Sequence, residues 1–144
     1  MRGLVALLFL AQAVSAVDKF VFDVEFTCGY NQREKYSYNV QFIEQDSFLS
    51  SNEPITQQKI GQARPGESHF QMEGTQNGDE WFSKGYNVRM DLYHDCTEYQ
   101  TEVELQLELE PLCEIGKGVC HYHIKKDIKD ASGSSKYQAK LEYQ

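Results

Sequence analysis

Four cysteines and four histidines are the residues of this 144-residue chain whose types invite a chemical reading. His94, Asp95 and Cys96 stand side by side, the make-up of a thiolate dyad in which an imidazole activates sulfur for attack. A dyad needs a free thiol of lowered pKa, whereas an even number of cysteines behind an apolar N-terminus reads as a disulfide set. Cys28, Cys96, Cys113 and Cys120 are therefore expected to be bridged. His121 and His123, one residue apart, share a face if they lie on a strand, a spacing that chelates zinc or copper. No third or fourth ligand can be named from the sequence, so no metal or cofactor is expected and the pair reads as the solvent side of a strand. Glu102, Glu104, Glu108 and Glu110 alternate with apolar residues, and carboxylates spaced along a strand do not make the compact loop of a calcium site. They read as a solvated face that blunts a sheet edge or docks a basic partner. Asn77-Gly78-Asp79 is turn chemistry.

The elements that must position these groups alternate with period two, the mark of half-buried strands. Phe20, Phe22, Val24, Phe26 and Cys28 share one face, as do Tyr36, Tyr38, Val40 and Phe42. Phe70 and Met72, then Tyr86, Val88, Met90 and Leu92, repeat the pattern. Val103, Leu105, Leu107 and Leu109 show it most cleanly, followed by Cys120, Tyr122 and Ile124, and by Tyr137, Ala139, Leu141 and Tyr143. The separators, residues 29–34, 46–54, 75–80 and 130–135, are polar and rich in Gly, Asn and Ser. With no amphipathic helix, the expected fold is all-β, an antiparallel two-sheet sandwich of about seven to eight strands. Among the pairings open to four cysteines, Cys28–Cys96 with Cys113–Cys120 is preferred. The first two each close an alternating segment on its apolar side, and the second two flank Gly116-Lys117-Gly118.

Residues 1–16 read as a secretory signal: Arg2, an apolar run from Leu4 to Ala13, and small residues at Val14-Ser15-Ala16. The run is too short to span a bilayer. The expectation is a secreted, extracellular chain whose residues 17–144 form a single domain, not membrane-spanning and without an Asn-x-Ser/Thr acceptor. Loss of Arg2 takes the net charge from −8 to −9. That balance argues against nucleic acid and against anionic headgroups, both of which are recognised by Lys and Arg clusters.

Trp81 follows Cys28 by 53 positions and precedes Cys96 by 15, which does not fit an immunoglobulin domain. Three segments fit another pattern. Val40-Gln41-Phe42-Ile43-Glu44-Gln45-Asp46 resembles the second-strand motif of the nematode transthyretin-like family. Phe70-Gln71-Met72-Glu73-Gly74 resembles its Phe-x-apolar-x-Gly segment. Tyr86 to Cys96, a strand ending in His94-Asp95-Cys96, is similar to its most recognisable motif, and Cys28-Gly29 closes the first strand behind the signal. The resemblance covers positions 20 to 96 and implies a transthyretin-like sandwich, secreted and without catalysis. The enzymatic relatives of that fold, the hydroxyisourate hydrolases, end in Tyr-Arg-Gly-Ser, whereas this sequence ends Lys140-Leu141-Glu142-Tyr143-Gln144, so no catalytic residue is carried over. The expected role is a non-enzymatic module that recognises an extracellular protein or cell-surface partner through a rigid face or loops. The alternative is a carrier of a small hydrophobic ligand or lipid, which nine Tyr and eight Phe would suit. Aromatics at alternating positions are more often core than cavity lining, which favours the module. The sequence does not specify the oligomeric state.

Overall fold

A computed structural model describes residues 17–45, 52–78 and 84–144. Residues 1–16, expected from the sequence to be a secretory signal, and Asp46, Asp79 and Trp81 lie outside the described residues. Everything described is strand, turn or loop. One sheet has four strands in the order β12 (Lys140–Tyr143), β10 (Cys120–Asp127), β1 (Val17–Cys28) and β5 (Gly66–Asn77). The other runs β11 (Gly133–Gln138), β8 (Val103–Glu110), β7 (Val88–His94), β2 (Tyr36–Glu44) and β3 (Glu53–Pro54), with β4 (Lys59–Ala63) also on β2. A short pair joins β6 (Gly85–Tyr86) to β9 (Cys113–Glu114).

The alternation places the core. Phe20, Phe22, Phe26, Tyr36, Val40, Phe42, Met90, Leu92, Leu107 and Tyr122 are all fully buried. Phe22 of β1 stacks on Phe42 of β2 with centroids 3.7 Å apart, so the two large sheets pack face to face through interlocking rings. Each such ring removes a large apolar surface from water, about 1.5–3 kcal/mol of transfer free energy per side chain. Gly74 shows how tightly β5 is approached: a Cβ there would stand 2.0 Å from the Ile55 carbonyl oxygen, which accepts from the Thr75 amide. Only glycine fits.

Four expectations are corrected. The sheets are mixed, not purely antiparallel: β1 pairs with β10 and β8 with β11 in parallel. Both pairs join strands far apart in sequence or reached by a long crossover, the condition parallel pairing needs. Twelve strands appear among the described residues instead of seven or eight, because short edge pieces such as β4 bury too little to show periodicity, with Ile60 74% exposed. The 137–143 segment is two strands, since the chain switches sheets at Ala139, whose amide donates to the Glu110 carbonyl. Strand also reaches into the separators, at Glu53–Pro54, at Asn77 opposite Val17 and from Gly133.

Candidate functional site

The outward positions of β1 lie between the core positions just described, and this alternation turns Asp23 and Glu25 to the outer face of the β12–β10–β1–β5 sheet. Parallel register then sets Asp23 directly beside His123. His121, two residues earlier, projects from the same face, and the two imidazoles stack with centroids 4.3 Å apart. His121 Nε2 donates to Asp23 Oδ2, while His123 Nδ1 lies 3.5 Å from the same oxygen. A carboxylate can only accept, so His121 carries its proton on Nε2 and its Nδ1 accepts from Gln144 Nε2 at 2.8 Å. The remaining oxygen, Asp23 Oδ1, accepts from Gln71 Nε2 of β5 at 2.8 Å. His123 Nε2 is buried without a hydrogen bond, with Glu142 Oε2 of β12 at 3.5 Å.

These contacts set the charge. Partial burial pushes the Asp23 carboxyl upward, but the hydrogen bonds from Gln71 and His121 outweigh it and hold the group below its usual range. Glu142 is held below its usual range chiefly by Lys140, whose Nζ lies 2.9 Å from Oε1. Along the same face Glu25 meets His69 at 3.8 Å and Lys125 at 3.9 Å, and Lys19 meets Glu73 at 3.9 Å. A shallow cleft of about 610 Å³ opens among Asp23, Glu25, His69, His123, Lys125 and Lys140. The face is thus an ordered array of paired charges on a strand frame.

The other predicted residues take structural roles. Cys28 is bonded to Cys96 and Cys113 to Cys120, and no described cysteine is free. His94 is 1% exposed; its Nε2–H donates to the Ala131 carbonyl at 2.7 Å and its Nδ1 accepts from the Cys96 amide at 3.1 Å. Both ring nitrogens are spoken for by backbone, and burial pushes its pKa down. Asp95 Oδ1 accepts from the Ser37 amide at 2.7 Å, tying the end of β7 to the start of β2. The three motif residues hold a corner together. They do not assemble with the other histidines.

The acidic strand is also corrected. β8 lies between β7 and β11, so it is not a sheet edge. Glu108 stands across from Arg89 and beside Lys136 in register, and Lys136 Nζ lies 3.7 Å from Glu110. Gln106 Nε2 donates to Glu104 at 2.7 Å. Glu104 and Glu108 are half-buried among these partners, whereas Glu102 and Glu110 are exposed.

The sequence reading found His121 and His123 but missed Asp23, Gln71, Glu142 and Gln144. Only the pairing of strands distant in the chain brings these to the histidines, and the single legible signal was the outward position of Asp23 in its alternating run. Compared with protein-family models, with curated proteins and with solved structures, the chain matches none of them.

Proposed function

We propose that this protein is a secreted, non-enzymatic binding module of the transthyretin-like type, which recognises an extracellular protein or cell-surface partner through the outer face of its β12–β10–β1–β5 sheet. The observation that carries this reading is the filled interior. Phe20, Phe22, Phe42 and Tyr122 occupy the space between the sheets as stacked rings at 0% exposure, so aromatic content serves packing and recognition falls to the surface. Further support comes from the motif segments. Val40, Phe42 and Ile43 are core residues of β2, Met72 and Gly74 belong to β5, and the strand ending in His94 leads to the Cys28–Cys96 bridge. The engagement of both His94 nitrogens and the bridging of every described cysteine support a non-catalytic role. Capture from extracellular fluid, followed by mass spectrometry of bound proteins and extracted lipids, tests the reading. The expected result is a saturable protein partner whose capture falls with Lys125→Glu and not with Glu102→Lys. Recovery of lipid alone would replace the module with the carrier.

A further inference from the structure

The outer-face cluster does more than pair charges, and we propose that Asp23, His121 and His123 form a binding site for a divalent transition-metal ion of the imidazole-preferring class, with Zn²⁺ as its reference ligand. One oxygen and two nitrogens from three separate side chains converge, all within 4.8 Å of one another. Tetrahedral donors around an ion with bonds of about 2.0–2.1 Å stand roughly 3.4 Å apart. Asp23 Oδ2 already lies 3.5 Å from His123 Nδ1 and in hydrogen-bonding contact with His121 Nε2, so small side-chain rotations complete the triangle. Two imidazoles and one carboxylate form the donor set that suits zinc, copper or nickel and disfavours magnesium and calcium.

The surroundings are those of a metal site. A ligating histidine is held by a partner on its other nitrogen, and ligating carboxylates are hydrogen-bonded in turn. His121 Nδ1 has Gln144 at 2.8 Å, His123 Nε2 has Glu142 at 3.5 Å and Asp23 Oδ1 has Gln71 at 2.8 Å. Coordination through His121 Nε2 moves its proton to Nδ1, where the Gln144 side-chain amide can turn to present its oxygen. A plain ion pair accounts for less. It would set two cations 4.3 Å apart if both rings were charged, with a nitrogen of each directed at the single oxygen Asp23 Oδ2. A single divalent ion satisfies all three donors together. The neighbouring Glu25, Glu67 and His69 gather similarly, but Lys125 already occupies Glu25 at 3.9 Å, and two of the three are exposed.

The test uses the full chain with its disulfides intact, stripped by a chelator and titrated with Zn²⁺ by calorimetry. One saturable site with a dissociation constant of about 10 µM or tighter is expected. His121→Gln, His123→Gln and Asp23→Asn should each abolish it, Glu142→Gln should weaken it roughly 10- to 100-fold, and His69→Gln should leave it unchanged. Asp23→Asn keeps an oxygen that can accept from His121, so it separates loss of the metal charge from loss of the hydrogen bond. Zn²⁺-induced shifts of the imidazole nitrogens in the wild-type chain, confined to His121 and His123, support the site even if a variant misfolds. Absence of saturable binding, binding that survives the paired histidine substitutions, loss in His69→Gln, or shifts centred on His69 or His94 would each overturn it.

Discussion

Removing the Cys28–Cys96 bridge should cost more stability than removing Cys113–Cys120, although all four cysteines are fully buried. The long bridge joins residues 68 apart in sequence and links the end of β1, paired there with Gly66, to the segment just after β7, which belongs to the other sheet. It is a strut between the two layers. The short bridge spans a separation of 7 and closes a turn in which Gly116 and Gly118 already adopt left-handed backbone, at φ 81° and 99°. On the chain-entropy model, the long loop contributes about 4.4 kcal/mol and the short one about 2.5 kcal/mol. Against a total of about 5–15 kcal/mol for a domain, the first loss brings the fold to the edge of stability and the second does not. With a urea dependence of about 1.5 kcal/mol/M, the midpoint should fall by about 3 M in the Cys28→Ala/Cys96→Ala chain and by about 1.7 M in Cys113→Ala/Cys120→Ala. Urea unfolding followed by far-ultraviolet circular dichroism measures both shifts. Equal shifts, with unchanged urea dependence, would refute the reasoning, because they would show that neither loop length nor the tie between sheets governs the loss.

Two further outcomes follow from the polar groups. Burial lowers the His94 pKa, so below its ordinary value of 6.5 the unfolded chain takes up a proton that the native chain refuses, and stability present above that pH is lost as pH falls, by up to about 1.4 kcal/mol per unit. Melts at pH 7.5 and 5.5 should therefore show a smaller acid-induced drop in His94→Gln than in the wild type, and a drop of the same size would discount His94. Glu108→Lys would put an ammonium across from Arg89 and beside Lys136, like charges that each cost about 0.2–1 kcal/mol, so its melting temperature should fall by several degrees while that of the exposed Glu102→Lys stays nearly unchanged; indistinguishable melts would show that β8 is as solvated as the sequence alone suggested.

What the sequence by itself determined is the content of each face. Period-two alternation is a local property, because adjacent side chains of a strand must point opposite ways, and so Phe20, Phe22 and Phe42 could be assigned to the core and Glu104 and Glu108 to the other face without knowledge of any partner strand. The cysteine pairing was legible for a related reason, since Cys28 and Cys96 each fall on the apolar side of such a run. Neighbours across the sheet are different in kind. They depend on which strands meet and in which register, and that is settled by how the whole set of apolar faces closes over one core. Hence the parallel pairing of β1 with β10, the interior place of β8 and the split of the C-terminal segment between two sheets are tertiary decisions. The meeting of Asp23 with His121 is another, made across 98 residues of sequence by a strand register that no local pattern encodes.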